Sequence, residues 1–561
     1  MVLSDQSVDL EQMFPRGRDS FLADPDDFRL GVIVGGSLSK GLTVKLDIGV
    51  PIETLAVGRY VVVRGQHKRF FCMITDVVLD NTNADIQSAP PDFSDPFLAA
   101  VYGGTAAYGK VNVQPLLSID SIGEDAGKPK PVKTIPSHFT AVHDATVADV
   151  NSVFGPEDAT HFNVGAPLEL ETTQINLDLK ALVQRSIGVF GKSGTGKSFL
   201  TRMLLAGIIA KKQAVALIFD MHNDYGWAAQ DERGVQAKGL RQLLGADKVL
   251  VYSLDPESTA RRGGKSDFDV RIGYDEIEPE DLESLRVTMG LSDAMLDAAR
   301  MLRKQWGTGW VARLIDAGSV DFDTIEEETP HRAGTLAALQ RRLQRFPRWD
   351  FLVRNSTGDS VTQIMNAIES ERSIVLEFGR YGNSLEAYML VANYLTRRIH
   401  EVYIEKVEKA LGDKSHEPPQ LVIVIEEAHK FLDPKIANQT TFGIIARELR
   451  KYKVTLLVVD QRPSGIDEEV MSQIGTRVTA LLDNERDINA VLMGVSGAVG
   501  LREVLSRLDT KQQVIIMGHA VPMPVVIKTR PYDEDFYTAM EKMVGLPVAA
   551  GTRKKAADRI G

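Results

Sequence analysis

A single cysteine, Cys72, stands in a chain of 561 residues. That scarcity excludes an internal disulfide framework and any metal site built from several thiolates, and it points to a reducing compartment. No apolar run reaches the roughly 18 residues that a membrane-spanning helix requires. The opening stretch, MVLSDQSVDLEQMF, is acidic and has no long apolar core, so no secretory signal is evident. The expected location is the cytoplasm, with no membrane partner. Internal repeats and low-complexity blocks are also missing. Positive charge is not in excess: 65 Lys and Arg face 76 Asp and Glu, a formal net charge of −11. This balance argues against a protein that coats nucleic acid with its whole surface, while leaving room for a locally basic channel.

What is present has the make-up of a globular protein, 43% apolar and 25% charged, at a length that calls for two or three domains. Phe28 to about Ser118 reads as β-rich. Leu30–Val34, Thr43–Ile48, Tyr60–Val63 and Phe70–Val78 are runs of Val, Ile, Thr and aromatics. Glycine and proline punctuate them at Gly35-Gly36, Gly49 to Pro51, Gly58 and Gly65, at the spacing of a small barrel. Gly123 to Pro136 predicts an exposed loop, and Gly165 to Leu177 is again β-like.

From Arg185 onward strand and helix alternate, the signature of a parallel α/β sheet. The strands expected are Ser186–Phe190, Ala214–Asp220, Ser373–Phe378, Leu421–Ile425, Thr455–Asp460 and Val514–Met517. Most are near-continuous apolar runs, as in strands covered on both faces. Glu276 to Asp359 reads as helical, with Leu282, Leu285, Met289, Leu296, Met301 and Leu302 as its apolar side. The predicted organisation is therefore a barrel and linker over 1–160, an α/β core over 161–545 with a helical insertion at about 276–359, and a tail over 546–561. That tail carries Arg553, Lys554, Lys555 and Arg559, as a frayed terminus or as an arm on a neighbouring subunit.

The core is organised around Gly191-Lys-Ser-Gly-Thr-Gly-Lys-Ser198. It follows a short apolar strand and opens a segment whose apolar positions (Phe199, Leu200, Met203, Leu204, Ile208) fall three and four apart. In that setting G-x-x-x-x-G-K-[ST] is a phosphate loop. Gly194 and Gly196 let the backbone curl so that N–H groups face an anion, Lys197 reaches the β- and γ-phosphates, and Ser198 holds Mg²⁺. The expected nucleotide contacts are Gly191, Ser193, Gly194, Thr195, Gly196, Lys197, Ser198 and Phe199.

Leu421 to Ile425 is followed at once by Glu426 and Glu427. Two carboxylates at a strand tip suit Mg²⁺ ligation, by Glu426 through its hydration shell, and polarisation of the attacking water by Glu427. Activated water means hydrolysis, which favours an ATPase over a small-molecule kinase. Gln461, at the next strand tip, is a γ-phosphate sensor or a turn cap. Asp220 ends a third strand at the same edge, as a supporting group of the site or as a cap. Arg447 and Arg450 share one helix face and are candidates for a guanidinium supplied across a subunit interface. Arg185, just before the first strand, is another phosphate or interface candidate. Arg341, Arg342, Arg345 and Arg348, interleaved with Phe346 and Trp349, are either a nucleic-acid contact or a solvated face.

Taken in order, these motifs resemble the HerA branch of the FtsK/HerA ATPases. The resemblance rests on Gly191–Ser198, Asp220–Tyr225 (DMHNDY), Ile425–His429 (IEEAH), Ile445–Lys451 (IARELRK) and Asp460–Ser464 (DQRPS). It rests also on GVIVGGSLSKGLTVKL…VGRYVVV, which is similar to the HAS-like β-barrel that precedes the motor in that family. It implies a RecA-like core, a homo-hexameric ring, ATP and Mg²⁺ as cofactors, and double-stranded DNA moved through the central channel. It also implies Arg450 as the arginine supplied in trans and Arg185 as the arginine before the first motor strand. The barrel side would dock a nuclease of the NurA type or a defence effector, in repair or antiphage roles. An ATP-gated scaffold that activates such an effector without processive movement is the alternative. Two positions depart from the family's pattern: Leu449 stands where it has glycine, and Asp460 where it has serine.

Overall fold

The computed structural model describes residues 28–547 apart from 83–87, 89–91, 93, 103–106, 125, 169, 231–235, 319–332, 357–359, 438–439, 449–450, 496–497 and 510–511. Arg450, Leu449 and the basic residues of the tail lie outside the described residues.

The β-rich stretch forms β1 (Arg29–Ser37), β2 (Gly41–Leu46), β3 (Tyr60–Arg64), β4 (Lys68–Asn81), β5 (Ala107–Asp120), β6 (Pro129–Pro131) and β7 (Ala141–Asp144). They pair antiparallel in the order β2-β1-β7-β3-β4-β5-β6, and β2 also pairs with β5, which closes six of them into a barrel. Side chains alternate across each strand. Val61, Val63, Phe70, Cys72, Ile74 and Val113 fill the barrel. Their neighbours Tyr60, Val62, Phe71 and Met73 point the other way and join the core of the following domain. Both faces are thus covered, which explains why these strands read as unbroken apolar runs. Cys72 is a filler of the barrel interior, and burial pushes its thiol well up. The expected loop over 123–136 is not all loop. Its Pro129–Pro131 adds a seventh strand to β5, at the sheet edge where proline's missing N–H costs no ladder bond.

The second sheet starts with β8 (His161–Pro167), β9 (Ile175–Asp178), β10 (Ile187–Phe190) and β11 (Val215–Asp220). A small hairpin, β12 (Ala229–Gln230) with β13 (Gln236–Ala237), precedes β14 (Val249–Ser253) and β15 (Phe268–Asp269). The helical insertion is closed at its base by β16 (Ile272–Gly273) paired with β17 (Leu352–Val353). After it come β18 (Ser373–Glu377), β19 (Leu421–Glu426), β20 (Val454–Asp460), β21 (Thr476–Thr479), β22 (Gln513–Gly518) and β23 (Val525–Thr529). Their order is β15-β14-β18-β11-β19-β20-β10-β21-β22-β23-β8-β9. The sheet is parallel from β15 to β21, as expected, and continues antiparallel beyond.

Among the strands of four or more residues in this sheet, β14, β21 and β23 went unread in the sequence. In β21 the reason is chemical. Arg477 sits mid-strand and buried, and its guanidinium donates to the carbonyls of Met471, Val491 and Met493, each at 2.7 Å. Burial pulls its pKa down to about 10. A strand reading Thr-Arg-Val-Thr carries no apolar run to detect.

The helix Lys197–Ala210 buries ten of its fourteen residues under this sheet. At Gly207 an added Cβ would lie 2.6 Å from the buried Phe162 ring on β8. Gly207→Ala is therefore expected to destabilise the protein by about 1–3 kcal/mol through overpacking. A lower apparent Tm checks this; an unchanged one contradicts the close packing.

Barrel and sheet are joined by more than a linker. The Tyr60 hydroxyl donates to the Pro524 carbonyl at 3.1 Å and accepts from the Val526 N–H at 2.9 Å, at the start of β23. In the insertion, Leu282, Leu285, Met289, Leu296 and Leu302 are buried around Trp310. The Arg397 guanidinium grips the buried Asp281 with two hydrogen bonds of 2.7 and 2.9 Å, tying the insertion to the long helix Leu385–Ala410.

Candidate active site

Because β11, β19, β20 and β10 are adjacent and parallel, their carboxyl ends share one edge of the sheet. Asp220, Glu426, Asp460 and Phe190 are the last residues of those four strands. The register sets Phe190 beside Asp460 and Glu426 beside Val459. Ligands collect at such an edge in open α/β sheets.

After Phe190 the chain turns through Gly191 to Gly196 into the helix that starts at Lys197. Gly194 and Gly196 hold φ of 79° and 83°, the left-handed region that a side chain disfavours. The Lys192 carbonyl accepts from both Thr195 Oγ1 and Lys197 Nζ, each at 2.8 Å, which draws the loop into a closed curl. Burial lowers the pKa of Lys197, and the charges of Glu427, Asp460 and Glu426 oppose that pull. Phosphate-loop lysine and strand-tip acids therefore share one electrostatic site.

Glu426 is buried, and one of its oxygens accepts from the Tyr225 hydroxyl at 3.0 Å. The other, Oε2, is buried with no hydrogen-bond partner. Burial pushes its pKa up to about 7; the charges of Asp224 and Glu427 add to this, while the Tyr225 bond and the Arg202 charge oppose it. Asp220 is pushed up to about 7 as well, by burial first and then by Glu426. Its two oxygens accept the N–H groups of Asp224 and Tyr225, both at 2.8 Å, so Asp220 caps the turn that carries Tyr225. An edge so short of positive charge suits a divalent cation. The described residues hold no cluster of three or more His, Cys, Asp or Glu side chains able to cage a metal. A single orphaned carboxylate oxygen suits Mg²⁺, which keeps several waters and completes its shell with phosphate oxygens. Glu426 and Ser198 fit that role.

Glu427 adopts φ 49° and ψ 45°, a left-handed conformation costly for a side chain of this kind. The strain turns its carboxylate toward the next strand end, where Gln461 Nε2 donates to Oε1 at 3.2 Å. Glu427 and Gln461 thus meet directly.

The remaining expected residues are not brought here. Arg185 precedes β10, so it lies at the opposite edge, roughly 13 Å away across a four-residue strand. It packs on Gly475 there, with Nε buried and unpaired. Arg447 is held within its own chain by Glu469 at 3.0 Å and Asp467 at 3.8 Å. In the arginine run, Phe346 and Trp349 are stacked core residues 5.5 Å apart, so they are not platforms for bases.

Residues 162–399 match the family model described as helicase HerA, central domain. The chain is 24% identical over 399 residues to the DNA double-strand break repair helicase HerA of Pyrococcus furiosus, covering 66% of this chain and 70% of that one. Over this region the chain is similar to the HerA helicases, and it is an ATPase. A shorter alignment to HerA of Sulfolobus acidocaldarius reaches 34% identity over 147 residues, 26% of this chain and 29% of that one. Among solved structures, VirB4 of Thermoanaerobacter pseudethanolicus is 16% identical with a TM-score of 0.43, over 68% of this chain and 99% of that one. The bacterial conjugative coupling protein TrwB, in complex with sulphate, is 11% identical with a TM-score of 0.46, over 69% and 92%.

Several residues at this edge escaped the sequence reading. Arg202 is 2% exposed, with Nε and Nη1 unpaired, and its guanidinium lies 5.1 Å from the Phe199 ring centroid and 5.9 Å from that of Tyr225. A cavity of about 310 Å³ opens beside the phosphate loop, lined by Gly196, Phe199, Leu200, Arg530, Tyr532 and Tyr537. Its far wall comes from the segment after β23, some 330 residues downstream, a distance no local motif spans.

Proposed function

We propose that this HerA-type ATPase works as a ring of six copies that binds ATP and Mg²⁺ and moves double-stranded DNA through its centre. The observation that carries the reading is the meeting of Lys197, Glu426, Glu427 and Gln461 at one edge of a parallel sheet. The names of the relatives, double-strand break repair helicases, supply the DNA.

In this reading the curl of Gly191 to Gly196 cradles the phosphates, and Lys197 leaves the Lys192 carbonyl for the γ-phosphate. Glu426 and Ser198 would hold Mg²⁺, which when bound would supply positive charge to offset that of the phosphate oxygens. Glu427 takes the proton of the attacking water, and Gln461 orients that water against the γ-phosphate. Arg450 of a neighbouring copy completes the site, so the ring is a condition for turnover. Arg185 belongs to the same intersubunit reading, at the edge remote from its own phosphate loop. The cavity beside Phe199 takes the base. Tyr532→Ala is expected to raise KM for ATP about tenfold with little change in kcat, as loss of one stacking surface does. An unchanged KM would remove the base from this cavity.

The barrel keeps Ile48, Leu79, Ile122 and Phe139 each at least 70% exposed, and it is the proposed docking side for a partner nuclease in end processing or defence. No helix among the described residues is long and apolar enough to cross a membrane.

The test is ATP hydrolysis by the purified protein with and without duplex DNA across a salt series, alongside its mass in solution. The reading predicts a hexamer whose rate rises with DNA and loses that rise as salt screens the phosphates. A hexamer indifferent to DNA would favour the effector scaffold.

A further inference from the structure

Asp460 closes β20 with its side chain fully buried, yet it faces donors on two loops. From the turn after β19, the His429 backbone N–H reaches Oδ2 at 2.6 Å. From the turn after β20, the Arg462 backbone N–H reaches Oδ1 at 2.6 Å. The His429 ring adds Nδ1, at 3.1 and 3.0 Å from Oδ1 and Oδ2. A carboxylate offers only lone pairs, so Nδ1 is the nitrogen that carries a proton. The same Nδ1 lies 3.7 Å from the Glu427 carboxylate, and Glu427 is bonded in turn to Gln461, the residue next to Asp460. Asp460, His429, Glu427 and Gln461 therefore form a circuit, closed through the backbone between Asp460 and Gln461 and through the 3.7 Å approach of His429 to Glu427. The circuit also explains why a charged residue is accommodated at position 460, inside the sheet edge: three N–H donors satisfy it.

We propose that His429 and Asp460 are positioning residues for hydrolysis. They lock the strained turn bearing Glu427 to the strand end bearing Gln461, so that base and amide address the γ-phosphate as one unit. The inference rests on the ATPase reading of this site. Glu427 sits in an unfavourable left-handed conformation, and a free turn would relax out of it. The His429 clamp supplies the restraint. Nucleotide binding does not need the clamp, because the phosphate loop and the cavity beside Phe199 are built from other elements. Loss of the clamp should therefore fall on kcat and spare KM.

The experiment uses the full-length chain and compares His429→Ala, His429→Asn and Asp460→Asn with the wild type and Glu427→Gln. Readouts are kcat and KM for ATP, the Kd of a fluorescent ADP analogue, and the apparent Tm. An asparagine amide nitrogen falls close to where the imidazole Nδ1 stands, so His429→Asn restores the donor without the ring. The expected result is a kcat about 10- to 100-fold lower in His429→Ala, the scale of an angstrom-sized misplacement, with KM and Kd within about twofold. His429→Asn should recover most of that loss, and Asp460→Asn should resemble His429→Ala. The inference is overturned if His429→Ala keeps its kcat, or if kcat and Tm fall while Kd rises, without rescue by asparagine. A wild type that hydrolyses ATP alongside an inactive Glu427→Gln keeps the underlying reading intact whichever way the His429 variants turn out. A wild type without hydrolysis overturns both.

Discussion

Glu427→Gln is expected to lower kcat for ATP by about 100- to 1000-fold while nucleotide still binds, the usual cost of removing a positioned general base. The substitution is a narrow one. Glutamine keeps the length of the side chain and an oxygen that accepts from Gln461, so the contact at 3.2 Å survives. What disappears is the basicity. Because the phosphate loop is untouched, KM should hold within about threefold, and the loss should appear equally in kcat and kcat/KM. Steady-state hydrolysis with a parallel nucleotide-binding titration checks both halves. A kcat within about fivefold of wild type would move the base elsewhere, although Glu426, Asp220 and Asp460 are all more deeply buried than Glu427. Glu426 is committed to Tyr225, and Asp220 to two backbone N–H groups.

Arg450→Ala is the second substitution with a large expected effect, a loss of about 1000-fold in an assembled ring, as when an arginine finger is removed. Three of the chain's own arginines are held away from the phosphate loop or already engaged. Arg185 is at the opposite edge of the sheet, and Arg447 is engaged by Asp467 and Glu469. Arg202 is buried behind Phe199 and Tyr225. The resemblance to HerA ATPases assigns the missing guanidinium to Arg450 of a neighbouring copy. Arg447→Ala should then cost far less than Arg450→Ala, since its charge is already paired. Mixing Arg450→Ala with Glu427→Gln subunits provides the decisive form of the assay. If the arginine acts in trans, some interfaces in the mixed ring pair an intact Glu427 with a neighbour's intact Arg450, and activity returns. A mixture as inactive as either parent would place the arginine in cis or outside the reaction.

The parts legible in the sequence were those whose chemistry is local. Gly194, Gly196, Lys197 and Ser198 lie within five residues, and their order alone specifies a curled loop ahead of a helix. Glu426 and Glu427 are legible because an apolar strand that stops abruptly in two acids sets both charges at the carboxyl edge of a sheet. The barrel was visible through its glycines, although the alternation inside each strand was hidden: Val62 and Val63 are both buried, on opposite faces. Features made by long-range pairing were not visible. Tyr225 reaches Glu426 across 201 positions, and His429 reaches Asp460 across 31. Asp460 reads in sequence as an oddity at a strand tip, and only the neighbouring turn gives it a purpose. Likewise β21 was obscured by Arg477, whose burial is offset by three carbonyls that no local pattern announces.

The central claim is that hydrolysis at this edge drives movement along duplex DNA. Its most direct measurement is displacement of a third strand annealed to a long duplex, followed in time with ATP and purified full-length protein. The account predicts displacement that requires ATP, disappears in Glu427→Gln, and lengthens in lag as the duplex lead-in grows. ATP hydrolysis at an undiminished rate with the third strand left in place would contradict it, and would leave a ring that uses ATP to assemble a partner instead of to travel.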